Sequence, residues 1–189
     1  MTPAIVVVGT SLGGLSALEI LLGGLPSEFP LPIAVVQHRG VDSDDTLTIL
    51  LQVHCKLPVL EPEDKAPIEG GRVYIAPPDY HLLVDRGSFA LSTEAKVCYA
   101  RPSIDVMFES AAESYGKGVI GVVLTGASRD GSTGLARIKE RGGLAVVQDP
   151  KHAEAPAMPE AAIARVKADR VLPLPEIAPY LNLCCHMEI

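Results

Sequence analysis

The stretch Ala4-Ile5-Val6-Val7-Val8-Gly9-Thr10-Ser11-Leu12-Gly13-Gly14 decides the fold. Residues 4–8 are all apolar, mostly β-branched and stopped by a glycine, which describes a strand covered on both faces. Leu15, Leu18, Leu21 and Leu22 then recur at helical spacing, and Gly23 and Gly24 close the helix. Strand, Gly-rich turn and helix together make the first half of a crossover unit.

The same alternation runs through the chain. Strands are expected over 33–36, 58–60, 119–124, 144–147 and 171–172, and helices over 46–54, 104–114, 135–141, 159–166 and 175–183. Between 72 and 92 the pattern changes. Apolar runs at 73–76, 81–84 and 89–91 are parted by turn compositions at 77–79 and 85–88, which predicts an antiparallel hairpin excursion at the sheet edge. Strands joined by helices imply right-handed crossovers. The expected fold is α/β: a doubly wound, mainly parallel sheet flanked by helices, Rossmann-like in its winding.

Composition narrows the classes. A chain of 189 residues is expected to form one domain over 1–189. Hydrophobic residues at 48% against 21% charged argue against disorder. With 4% aromatics and no tryptophan the core must be aliphatic, as in a sheet covered on both sides. A formal charge of -7 argues against a nucleic-acid partner, whose phosphates need a basic face. The apolar run 5–8 is far too short for a signal peptide or membrane span. Cys55, Cys98, Cys184 and Cys185 lack metal-ligand spacing, so no metal is expected and they read as thiols of a reduced, cytoplasmic protein.

Doubly wound sheets bind ligands beyond the carboxyl ends of their strands. Three chemically capable residues fall there: Ser11 after the first strand, His38 after the second, and Asp130 beyond the strand at 119–124. The turn 9–14 misses the dinucleotide fingerprint, because Ser11 stands at its second glycine, and it lacks the Lys-Ser or Lys-Thr of a P-loop. It fits Gly-x-Ser-x-Gly, a turn that lifts a hydroxyl clear of the backbone beside helix N–H groups able to hold an oxyanion. A plain Gly-rich strand–helix turn fits it as well.

His38 is either a base for Ser11 or a satisfied side chain. The remaining histidines, His54, His81, His152 and His186, fall in helix, hairpin, loop and tail. Asp130 either orients the imidazole or, like Ser132, caps the helix that reaches Arg141. The chain order Ser, His, Asp argues against the α/β-hydrolase superfamily, though not against its chemistry. Asp79 and His81 read as turn and packing residues.

Several motifs in order resemble one family. They are the 4–14 opening, Val36-Gln37-His38, Val73-Tyr74-Ile75-Ala76-Pro77-Pro78-Asp79-Tyr80-His81, Arg101-Pro102-Ser103-Ile104-Asp105-Val106-Met107-Phe108, residues 121–131, and Met158-Pro159-Glu160-Ala161-Ala162-Ile163. From residue 4 to about 172 the chain resembles the catalytic domain of the chemotaxis protein-glutamate methylesterases, the CheB family. The resemblance implies hydrolysis of γ-glutamyl methyl esters, and deamidation of certain glutamines, on cytoplasmic helices of chemoreceptors. It implies Ser11 as nucleophile, His38 as base and Asp130 as orienting acid, with no cofactor. Leu12, Arg39-Gly40 and Ala127 depart from the family's usual residues at the expected mouth, which bears on substrate more than on chemistry. No receiver domain precedes the first strand, so phosphorylation control within the chain is not expected.

Backbone N–H groups of Leu12 and the Ala127 region are the expected oxyanion donors. Arg39, Arg101 and Arg129 flank the site motifs and are expected to form a positive rim for acidic helices or a product carboxylate; scattered surface arginines are the alternative. Two other functions fit the same residues. One is an esterase or acyl hydrolase with a different substrate, and the other is a non-catalytic module that binds a signalling partner.

Overall fold

The computed structural model describes residues 3–40, 43 and 46–185, so His186 lies outside the described residues. The elements run β1 (Ile5–Thr10), α1 (Gly14–Gly23), β2 (Ile33–Gln37), α2 (Thr46–His54), β3 (Val59–Leu60), β4 (Val73–Ile75), β5 (His81–Asp85), β6 (Ser88–Ser92), α3 (Ile104–Tyr115), β7 (Val119–Val123), α4 (Ser132–Glu140), β8 (Leu144–Gln148), α5 (Ala157–Arg165), β9 (Arg170–Leu172) and α6 (Leu174–Cys185). Among the described residues no helix is long and apolar enough to cross a membrane.

Seven strands form one sheet in the order β3-β4-β2-β1-β7-β8-β9, and every neighbouring pair is parallel. The chain starts in the middle, winds outward through β2, then crosses back beyond β1 to β7, β8 and β9. Strand order therefore reverses between β1 and β7. Loops leaving the carboxyl ends of those two strands diverge there and open a crevice.

The burial pattern explains the apolar runs. Val6 and Val8 pack with residues of α1, α2 and α6, whereas Ile5 and Val7 pack with α3, α4, α5 and the β5–β6 hairpin. Side chains of a strand alternate between faces, so a strand with helices on both sides must be apolar at every position. Each valine or isoleucine buried in this way stabilises the fold by about 1.5–3 kcal/mol of transfer free energy.

One expectation changes in detail. Val73–Ile75 is not part of the antiparallel excursion but lies inside the main sheet, parallel to β2 and β3, with Ile33 opposite Val73. The hairpin is β5–β6 alone, a separate two-stranded sheet whose Leu82, Val84 and Phe89 turn into the α3 layer. The turn at 77–79 leaves a local signal, whereas the pairing of β4 with a strand far upstream leaves none.

Candidate active site

The loops after β1, β2, β7 and β8 are stitched together at the switch point. Thr125, almost wholly buried, is the knot. Its carbonyl accepts from the Ser11 amide (3.0 Å) and from Thr10 Oγ1 (2.7 Å), while its hydroxyl donates to the Leu12 carbonyl (3.0 Å) and accepts from the Ala155 amide (2.8 Å). Gln37 Nε2 donates to the carbonyls of Ser11 (2.9 Å) and His38 (2.8 Å), tying the second loop to the first. Gly13, at φ 77°, turns the chain from Ser11 into α1, a left-handed conformation that glycine adopts without steric cost. Gly126 permits close approach: a Cβ there would sit 2.6 Å from Met158 Cε and 3.0 Å from Ser11 Cβ.

Asp130 is fully buried, and its carboxylate is saturated with donors. Oδ2 accepts from His38 Nε2 (2.8 Å) and the Ile104 amide (2.7 Å); Oδ1 accepts from Ser103 Oγ (3.0 Å) and the Asp105 amide (3.0 Å). The alternative in which Asp130 or Ser132 caps the next helix is not met. α4 begins after Gly131 with no side-chain cap, and Asp130 instead receives the first amides of α3, far away in sequence. Burial alone would raise its carboxyl, but the bonds from His38 and from the Asp105 and Ile104 amides outweigh that and hold it below the ordinary aspartate value. The helix N-terminus favours the same negative charge. An ionised Asp130 fixes the proton of His38 on Nε2 and leaves Nδ1 as the ring's basic nitrogen.

Ser11 and His38 line one cavity of about 520 Å³, together with Leu12, Gln37 and Glu154. No hydrogen bond joins Ser11 to His38 in this structure. Among the described residues the Leu12 and Ala127 amides donate to nothing. Asp105 stands behind Asp130, buried, with Oδ1 accepting from the Gly134 amide (2.7 Å). Burial, and then the Asp130 charge, push its carboxyl up to about 6 against the pull of that amide. Cys98, Asp105 and Asp130 bring potential ligand atoms within 4.8 Å of one another. The Asp130 oxygens are already fully used and burial pushes the Cys98 thiol up, so this donor set is ill suited to a cation.

The three arginines of the expected rim are not equivalent. Arg39 and Arg101 line a second cavity of about 410 Å³ that His38 also lines, with Lys96 and Tyr99. Arg39 pairs with Glu61 and donates to the Ala76 carbonyl (2.9 Å). Arg101 grips Asp79 Oδ1 through Nε (3.0 Å) and Nη2 (2.6 Å) and donates to the Thr93 and Glu94 carbonyls. Arg129 is exposed. Two of the three are thus matched by carboxylates of the fold. Sequence reasoning did not single out Ser103, Gln37 or Asp105 individually; Ser103 and Asp105 lie in the quoted 101–108 motif and Gln37 beside His38, which was the available signal. His81 is buried, accepting from the Ser103 amide at Nδ1 (3.2 Å), a packing role behind the acid. His54 and His152 lie against Glu19 and Asp149.

An all-parallel Rossmann-like sheet, with a hydroxyl and a carboxylate-paired imidazole at its switch point, defines a class of α/β domain equipped for acyl transfer. The sequence pattern of the CheB methylesterase family matches residues 6–181. A chain from Leptospira interrogans is 48% identical over 174 residues, covering 92% of this chain and 90% of that one. The protein-glutamate methylesterase/protein-glutamine glutaminase 2 of Anaeromyxobacter dehalogenans is 43% identical over 173 residues, which is 92% of this chain but 51% of that protein. The crystal structure of the Thermotoga maritima CheB methylesterase catalytic domain matches with a TM-score of 0.91 at 36% identity, over 97% of this chain and 99% of that one. The chain belongs to the CheB methylesterase family and has the fold of that family's catalytic domain.

Proposed function

We propose that this chain hydrolyses γ-methyl esters of glutamate, and deamidates glutamine, on cytoplasmic helices of chemotaxis receptors, with Ser11 as nucleophile, His38 as base and Asp130 as orienting acid. One observation carries the reading: the 2.8 Å contact of His38 Nε2 with a buried, donor-saturated Asp130, at a cavity that His38 shares with Ser11. His38 Nδ1 takes the proton of Ser11 Oγ as the oxygen attacks the ester carbonyl carbon. The carbonyl oxygen becomes an oxyanion met by the Leu12 and Ala127 amides, each such donor being worth about 3–4 kcal/mol of barrier. Collapse breaks the bond to the methoxy group, which leaves as methanol with the proton from His38. Water, deprotonated by His38, then attacks the acyl-Ser11 ester, and Ser11 recovers its proton as the glutamate carboxylate departs.

The chemistry needs no cofactor. Arg129 and Lys96, beside the His38 cavity, supply positive charge to acidic residues of a receptor helix, while the paired Arg39 and Arg101 shape the mouth. Methanol release from a methyl-esterified receptor tests the assignment. Wild type is expected to release it and Ser11→Ala to release none while melting normally. Turnover of unrelated esters alone would favour the broader esterase, and full activity in Ser11→Ala would overturn the nucleophile.

A further inference from the structure

The cavity that holds Ser11 also holds a carboxylate. Glu154, on the connection between β8 and α5, is exposed and lines the cavity opposite no cation: among the described residues it makes no ion pair and no hydrogen bond. It is held close nonetheless. Its side chain lies against Gly13, where a Cβ would meet Glu154 Oε2 at 2.7 Å and Glu154 Cβ at 2.8 Å. Its neighbour Ala155 is pinned to the nucleophile's loop system, donating to Thr125 Oγ1 (2.8 Å) and accepting from the Gly126 amide (2.9 Å). The backbone therefore sets the root of the Glu154 side chain at the wall of the cavity, and its carboxylate is unpaired among the described residues. The second cavity that His38 lines has Arg39, Lys96 and Arg101 in its wall and no acid.

Resting on the functional reading above, we infer that Glu154 is a specificity residue that discriminates neutral ester or amide side chains from ionised glutamate and drives the carboxylate product out of the cleft. A methyl ester and a primary amide carry no charge, so the Glu154 carboxylate is indifferent to them. The product differs from the ester by one negative charge at the same position, and only the product is repelled. Unmodified glutamates on the same receptor helix are refused on the same ground. A cleft without this charge would bind ester and acid alike and stay occupied after turnover.

Inhibition of methanol release by the demethylated receptor peptide tests the inference, with the matching methionine peptide, uncharged and not hydrolysable at that side chain, as the neutral control. Glu154→Gln is expected to lower the product's inhibition constant by roughly two- to fivefold, the scale of one solvent-screened charge pair. Glu154→Lys should lower it further, Glu154→Asp should keep the wild-type value, and the differences should close in about 1 M salt, where the screening length is about 3 Å. An unchanged product constant in both Gln and Lys variants overturns the inference while leaving the esterase reading intact. So does an equal drop for the neutral methionine peptide, which would point to space rather than charge. Failure of the wild type to release methanol is a different result and removes the functional reading and the inference together.

Discussion

The two sides of the site are built to opposite rules. Around Asp130 nothing is spare: both oxygens are doubly engaged and water is excluded. Around Ser11 capacity is left open, with a cavity, a hydroxyl not bonded to His38, and, among the described residues, the Leu12 and Ala127 amides unengaged. The group that steers the base does not change partners during an acyl transfer, so it can be locked in advance. Donors that meet the developing oxyanion must be vacant until it forms, because a donor already satisfied gives the transition state nothing extra.

Breaking the locked side should have the largest effect. Asp130→Ala strips four donors of their acceptor, so it is expected to lower kcat by about 10³–10⁴-fold and stability by about 3–5 kcal/mol, read by methanol release and urea unfolding. Breaking the open side should separate the two readouts. Ser11→Ala is expected to lower kcat by at least about 10³-fold while the unfolding free energy moves by no more than about 0.5 kcal/mol. Gly126→Ala presses the two sides together at Ser11 and Met158, and is expected to lower kcat/KM by about tenfold through a small displacement of the hydroxyl.

The smallest effect is expected at Asp105, behind the locked carboxylate. Its folded carboxyl is raised from 3.8 to about 6, so the folded protein holds that proton longer than the unfolded chain does. Its contribution is fully present below about pH 4 and is lost as pH rises through about 6. Asp105→Asn keeps an oxygen for the Gly134 amide and removes the charge. It should therefore be more stable than wild type at neutral pH, by on the order of 1–2 kcal/mol, with the gain vanishing near pH 4 in urea titrations.

Most of the sheet could be read in advance because burial on both faces writes itself into the chain as unbroken runs such as Ile5–Thr10 and Val119–Val123. The positions of Ser11, His38 and Asp130 followed from those runs, since a strand's end fixes where the next side chains emerge. What escaped was whatever depends on partners remote in sequence. β4 pairs with β2 across an intervening helix and strand, Asp130 caps a helix that begins before it, and Ser103 looks like any helix-starting serine until the acid is seen beside it. Glu154 escaped for another reason: it sits in an irregular connection, where no periodicity marks which way a side chain faces.

The bond from the Ser11 amide to the Thr125 carbonyl extends the β1–β7 ladder one step past its last paired residues. The Ser11 backbone is thereby tied by a hydrogen bond directly beyond the end of the central sheet. In deuterium its amide has no local opening through which to exchange, and should persist as long as the innermost valines do. Loss of that protection would mark collapse of the entire sheet, which makes one slow proton a gauge of the intact machine.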